Sequence, residues 1–189
     1  MNKKIYIVRH CEATGQPPES PLTEKGLVQA ADLAKFFSNK KIDRIISSPF
    51  LRAIQTIQSV SEKLNLEIEC DERLVERVLS SNNLPDWYEK LKVTFDDLNL
   101  KFEGGESSQE AMNRIAAVVE EVLKSGEEHI VMVTHGNLMS LLLKNFHGEF
   151  GFEDWKNLSN PDVFLLTYVN KEIHTERIWT KRTVIFLED

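Results

Sequence analysis

Strand-like and helix-like segments alternate along this 189-residue chain, and the alternation predicts an α/β fold. The expected form is a three-layer sandwich: a mostly parallel central sheet, helices on both faces and antiparallel strands at one edge. Two further observations support it. The short apolar runs are continuous and β-branched, as strands buried on both faces require, while the stretches between them carry apolar residues at helical spacing. The last strand candidates follow one another over short connections, which makes them antiparallel additions at an edge.

The first strand is Ile5–Val8, followed by an irregular loop held by Pro17, Pro18 and Pro21. Thr23 is placed to cap a helix in which Leu27, Ala30, Ala31, Ala34 and Phe37 recur on one side. Arg44–Ser48 reads as a second strand ended by Pro49. A helix over about Phe50–Leu64 then turns Ala53, Ile54, Ile57 and Leu64 inward, and Leu66–Cys70 alternates like a strand. From Asp71 to Gly105 the pattern weakens, with a helix expected around Asp86–Thr94. Ser107 and Glu110 form a capping box, hydroxyl to one free N–H and carboxylate back to another. The helix it starts carries Ala111, Met112, Ile115, Val119, Val122 and Leu123. His129–Thr134 reads as a buried strand, Asn137–Phe146 as a helix, and Val163–Val169, Ile173–Trp179 and Thr183–Leu187 as strands.

Length and composition fit one soluble globular domain spanning residues 1–189, with a short variable insert at about 77–104. Hydrophobic residues make up 41% and charged residues 28%, a balance that excludes disorder. The net charge of −7 argues against nucleic-acid or anionic-membrane partners, whose phosphates the overall field repels, while leaving room for a small anion pocket. Cys11 and Cys70 suit neither a disulfide framework nor a metal pair. Arg9 interrupts the first apolar run after four residues, too soon for a signal peptide, and no apolar run reaches membrane-spanning length. A reduced, cytoplasmic location is expected. Oligomeric state is not readable.

In parallel sheets the ligand crevice lies at the carboxyl ends of the strands. Three strand exits deliver chemistry there: Arg9-His10 after the first strand, Arg52 one turn beyond the second, and His135-Gly136-Asn137 after the fourth. Each has a structural reading when taken singly; an Arg after a strand is often exposed, and a Gly often serves a turn. Together they form a compact cationic pocket suited to a tetrahedral oxyanion, with arginine forks pairing to phosphate oxygens. The N–H groups of Gly136 and Asn137, at a helix start, are expected to add to it. A neutral imidazole is a competent nucleophile near neutral pH. No metal cluster, Walker-type loop or nucleophile-elbow serine is written in the chain, so metal-independent phosphoryl transfer through a phosphohistidine is the chemistry that fits.

With these residues in view, the chain resembles the histidine phosphatase superfamily, the phosphoglycerate-mutase-like group. Ile5-Tyr6-Ile7-Val8-Arg9-His10-Cys11-Glu12 is similar to its Arg-His-Gly-Glu signature, and Pro21-Leu22-Thr23-Glu24-Lys25-Gly26 to its Leu-Thr-x-x-Gly helix start. Ser47-Ser48-Pro49-Phe50-Leu51-Arg52-Ala53 matches the second signature, and Gly104-Gly105-Glu106-Ser107 and Val133-Thr134-His135-Gly136 complete the order. The resemblance implies that His10 takes the phosphoryl group, that Arg9, Arg52 and His135 bind its oxygens, and that Glu76 is the general acid. It places Gln16 where relatives carry a phosphate-contacting Asn. Surface exposure is the competing reading for Glu76, because Glu72 and Glu89 lie nearby. Cys11 departs from the usual Gly, which is tolerated if its φ is negative and costs about 1 kcal/mol or more if positive.

The family implies either hydrolysis of a phosphomonoester or phosphate movement within phosphoglycerate. The short insert after Glu76 favours water as acceptor, since shielding a phosphoenzyme needs a lid. The expected function is a metal-independent phosphatase of a small phosphorylated metabolite, with no cofactor and with inorganic phosphate as product. The alternatives are a cofactor-dependent phosphoglycerate mutase or a non-catalytic phospho-ligand module. Trp87, Tyr88 and Phe95 belong either to the core or to the substrate mouth.

Overall fold

A computed structural model describes residues 2–179. Six strands form one sheet: β1 (Lys3–Arg9), β2 (Arg44–Ser47), β3 (Ile68–Cys70), β4 (His129–Thr134), β5 (Asp162–Val169) and β6 (Glu172–Arg177), in the order β3-β2-β4-β1-β5-β6. The first four are parallel to one another; β5 runs antiparallel to β1, and β6 antiparallel to β5. The sheet is therefore mixed, with its antiparallel pair at one edge as expected. The strand expected over Thr183–Leu187 lies outside the described residues.

Strand periodicity divides the core in two. Ile5 and Ile7 of β1, with Ile130 and Met132 of β4, join α4 (Ser108–Lys124) and α5 (Gly136–Phe146) on one face. Tyr6 and Val8, with Val131 and Val133, join α1 (Glu24–Phe37) and α2 (Leu51–Leu64) on the other. Both faces are thus covered, which is why the central strands read as unbroken apolar runs.

Helix starts follow their local chemistry. Thr23 accepts the Gly26 N–H at 2.9 Å. Ser107 and Glu110 close the expected capping box at 3.1 and 2.7 Å. At the other end of α4, the buried Lys3 ammonium donates to the carbonyls of Val122, Ser125 and Glu127. A cation there answers both the unpaired carbonyls and the helix dipole.

Two helices are rotated from the expected faces. In α1, Leu27 is 55% exposed and Ala31 is also exposed, while Gly26 and Leu33 are buried with Ala30, Ala34 and Phe37. The stripe is set by close approach to the loop after β1: a Cβ on Gly26 would lie 2.0 Å from the Glu12 carbonyl oxygen. In α2, Arg52, Thr56 and Val60 are buried with Ala53 and Ile57, leaving Ile54 and Leu64 half-buried. Arg52 turns this face toward the sheet rim, which periodicity of apolar residues alone does not register.

Between β3 and α4 the chain makes a 3₁₀ turn (Glu72–Leu74) and the short α3 (Trp87–Val93), close to the span expected. A further helix, α6 (Phe152–Lys156), was not foreseen. Its Phe152 joins Leu91 and Phe95 in a small apolar cluster that fastens the insert to the body of the fold. Among the described residues, no helix is long and apolar enough to cross a membrane.

Candidate active site

Sheet register brings the strand exits together. Arg9 lies opposite Thr134, and Ser47 opposite Val133, so His10, Ser48 and His135 leave adjacent strands at one rim. The rings of His10 and His135 meet edge-on with centroids 5.1 Å apart.

His10 is held in one tautomer. Its Nδ1 lies 2.6 Å from the Cys11 carbonyl oxygen, which can only accept, so Nδ1 carries the proton. Nε2 then bears the lone pair and receives the Arg52 Nε–H at 3.3 Å. Burial pushes the imidazole pKa down to about 3; the Cys11 carbonyl opposes this, and the charges of Arg52 and Arg9 add to it. The ring is neutral at any pH well above that value.

Arg52 is 1% exposed. Its Nη1 is fixed by the carbonyls of Gln16 and Pro17 at 3.0 and 2.9 Å, and its guanidinium lies over the Phe50 ring at 4.9 Å. Burial lowers its pKa, with the Glu76 carboxylate opposing. Arg9 donates from Nη1 to the carbonyls of Leu158 and Ser159 at 3.3 and 3.5 Å. Burial likewise lowers its pKa, offset by the charges of Glu76 and Asp162. Gly136 packs directly on this guanidinium; a Cβ there would sit 2.9 Å from Arg9 Cζ.

His135 is fully buried, with Nε2 2.8 Å from the Ser48 hydroxyl. That hydroxyl already accepts the Phe50 N–H at 3.3 Å, so its own proton is free to reach Nε2, leaving Nδ1 protonated. Burial holds the imidazole pKa well below its ordinary value, and the neighbouring His10, Arg52, Arg114 and Arg9 push the same way.

Glu76 sits at the N-terminus of α5. Its Oε2 accepts the Asn137 N–H and its Oε1 the Leu138 N–H, both at 3.0 Å, while Oε1 also takes the Arg77 N–H at 2.8 Å. This corrects one expectation: the Asn137 N–H meets a carboxylate of the same chain and is not left open for an incoming oxyanion. The acid placed at the dipole's positive end is the physical reason.

A cavity of about 710 Å³ is lined by Arg9, His10, Gln16, Glu76, Gly136 and Asn137 among others, while the buried Arg52 and His135 stand behind His10 and are not part of its lining. Gln16 contributes its carbonyl to Arg52, while its side chain is exposed. Among the lining residues that the sequence reading missed, two are tied by hydrogen bonds to the surrounding structure. Asn160 donates from Nδ2 to the His10 carbonyl at 2.7 Å, and the buried Arg77 is held by Glu106 O and Thr94 Oγ1. The only local signal was an Arg beside Glu76 and an Asn before a proline; neither is distinctive.

Several buried polar atoms lack a hydrogen-bond partner among the described residues, among them Arg9 Nε, Arg77 Nη2, His135 Nδ1 and both side-chain polar atoms of Asn137. Arg9, Arg77 and Asn137 line the cavity, and His135 abuts His10. Such atoms are rare in folded proteins, and a cluster of donors at one crevice is what a polar ligand satisfies. No group of three or more His, Cys, Asp or Glu is placed to hold a metal among the described residues.

Cys11 is fully buried behind the site, where its N–H donates to Thr56 Oγ1 at 2.9 Å. Its backbone is not among those with positive φ, so the residue that departs from Gly carries no left-handed strain. Burial pushes its thiol pKa up to about 12.

The rim of the mixed sheet thus gathers two arginines, two histidines and a carboxylate. The chain belongs to the histidine phosphatase superfamily (branch 1), whose family model matches residues 5–180. It is 30% identical over 148 residues to phosphoserine phosphatase 1 of Hydrogenobacter thermophilus, covering 70% of each chain. Its fold is similar to that of a mycobacterial glucosyl-3-phosphoglycerate phosphatase (TM-score 0.76, 21% identity, 94% of this chain and 98% of that one). It is likewise similar in fold to a phosphoglycerate mutase from Bacillus anthracis (TM-score 0.74, 19% identity, 94% and 92% covered).

Proposed function

We propose that this protein hydrolyses a small phosphomonoester, without a metal, through a phosphohistidine on His10. The observation that supports the reading is the hydrogen bond from His10 Nδ1 to the Cys11 carbonyl, which puts the lone pair on Nε2, held by a long 3.3 Å bond from Arg52 Nε that gives way when phosphate engages the guanidinium.

In the first step the Nε2 lone pair forms a bond to phosphorus and the ester P–O bond breaks. Arg9, Arg52 and His135 bind the three phosphoryl oxygens and stabilise the charge that spreads over them. Glu76 gives its proton to the departing alkoxide oxygen. Oε2, which accepts a single backbone N–H, retains a lone pair able to carry that proton. In the second step Glu76 takes a proton from water as the water oxygen bonds to phosphorus. The N–P bond then breaks, releasing inorganic phosphate and restoring neutral His10. Gln16, Gly136 and Asn137 serve as substrate-side contacts: Gln16 by positioning Arg52, Gly136 by admitting Arg9, Asn137 through its unpartnered amide. Support for hydrolysis comes also from the phosphatase names of the relatives above.

The test is release of inorganic phosphate from 4-nitrophenyl phosphate and a panel of phosphorylated metabolites in the presence of EDTA, wild type beside His10→Ala. Turnover by the wild type and none by a folded His10→Ala supports the reading. Turnover that requires a divalent metal, or survives in the variant, overturns it. Turnover seen only as isomerisation of phosphoglycerate with a bisphosphorylated primer replaces it with a mutase.

A further inference from the structure

Beyond the phosphate anchors the cavity changes character. Part of its lining is apolar, made by Leu79, Leu84, Trp87 and Leu91 of the insert together with Trp155 of α6. Resting on the phosphatase reading above, we infer that the preferred substrate is a phosphomonoester of an apolar alcohol, best an aromatic one, whose leaving group lies against Trp87, Leu84 and Trp155.

Charge is the first support. Beyond the catalytic groups, only Glu12 and Arg77 among the cavity-lining residues are ionisable. Glu12 is paired with Lys25 at 2.7 Å. Arg77 has Nε and Nη1 engaged and keeps one open position, the buried Nη2. The remaining rim, Ser80, Asn82 and Asn83, is neutral. An ammonium on the leaving group would give up its hydration beside this cation, and a carboxylate would meet there a single buried N–H rather than a paired fork. An apolar group gains by the same transfer.

Construction of the wall is the second. Trp155 stacks on Phe152 with centroids 5.2 Å apart, and Phe152 in turn meets Phe95 at 5.8 Å and Tyr88 at 5.0 Å. The wall is therefore braced from behind before any substrate arrives. Trp87, by contrast, is 50% exposed; a large indole left half in water at a cavity mouth is surface that an apolar ligand would cover. The cavity volume of about 710 Å³ exceeds what phosphate alone fills and falls in the range of small-molecule sites.

The experiment compares kcat/KM for ethyl phosphate, 2-phenylethyl phosphate, phosphoserine and 3-phosphoglycerate. Alongside it, calorimetry measures binding of methylphosphonate and 2-phenylethylphosphonate, which do not turn over. The expected advantage of the phenylethyl over the ethyl compound is about tenfold in each measurement, and Trp87→Ala and Leu84→Ala each reduce it at least threefold. An advantage below threefold, a ratio unchanged in both variants, or phosphoserine or 3-phosphoglycerate turned over faster than the phenylethyl ester overturns the inference. Tighter phenylethylphosphonate binding with no hydrolysis of any ester leaves the inference standing and removes the phosphatase reading. Hydrolysis without preference does the reverse.

Discussion

Glu76 and Asn137, sixty-one positions apart in the chain, are joined by a 3.0 Å hydrogen bond from the backbone N–H of Asn137 to Glu76 Oε2. The carboxylate thereby caps α5 while lining the cavity in which His10 stands. One side chain thus caps a helix and, in the mechanism proposed above, supplies the acid, and substitution separates the two.

Glu76→Gln puts an amide NH₂ where at least one of three backbone N–H groups now finds an acceptor. Leaving a donor unsatisfied costs about 1–2 kcal/mol, or a fall in Tm of roughly 3–6 °C for a chain of this size. Activity on alkyl phosphates should fall at least tenfold more than on 4-nitrophenyl phosphate, whose leaving group needs no proton. Thermal melts and paired kinetics measure both, and equal losses on the two substrates would remove the acid role.

Gly136→Ala separates the terms in another way. The new Cβ would approach Arg9 Cζ to 2.9 Å, inside contact distance, and Arg9 is pinned by the Leu158 and Ser159 carbonyls. Activity should drop at least tenfold as the guanidinium is displaced. Stability should hold, because alanine early in a helix recovers up to about 1 kcal/mol of propensity. A melt unchanged within a few degrees beside impaired kcat/KM is the expected pair of results.

Acid should destabilise the protein through its buried imidazoles. His10 has its pKa pushed down to about 3 and His135 well below its ordinary value, mainly by burial. Between the ordinary histidine pKa of about 6.5 and those lowered values the unfolded chain binds protons that the native chain refuses. Stability is therefore fully present above about pH 6.5 and is lost as pH falls toward 3. Urea unfolding from pH 7.5 to 4 should show this slope, with His10→Asn making it shallower. An unchanged slope in the variant would refute the buried-neutral assignment.

Cys11 should be inert despite its place beside His10. It is fully buried with its thiol pKa up at about 12, whereas Cys70 is exposed. Thiolate character and access govern oxidation and disulfide exchange. A thiol-titrating disulfide reagent at pH 7.5 should label one cysteine in the native protein, identified by peptide mapping as Cys70, and two after unfolding. Mild peroxide should leave phosphate release intact.

What the sequence determined by itself was whatever short-range physics writes locally. Alternating β and α patterns imply the layered sheet, and Ser107 with Glu110 wrote the start of α4. Because parallel strands expose their carboxyl ends at one rim, the exits delivering Arg9-His10, Arg52 and His135 pointed to the site from the sequence alone. The roles proposed for Glu76 and Gln16 come only from the resemblance, since an acidic residue in a weakly patterned stretch has no local mark of burial. Tertiary structure decided the rest. It spent the Asn137 N–H on Glu76, rotated α1 so that Leu27 faces water, and buried Arg52 against the carbonyls of Gln16 and Pro17. It also built the cavity wall from Trp87 and Trp155, segments nearly seventy residues apart that share no pattern. These outcomes depend on which distant backbone groups and rings come to lie together, and a periodicity read over a dozen residues carries no information about partners so far along the chain.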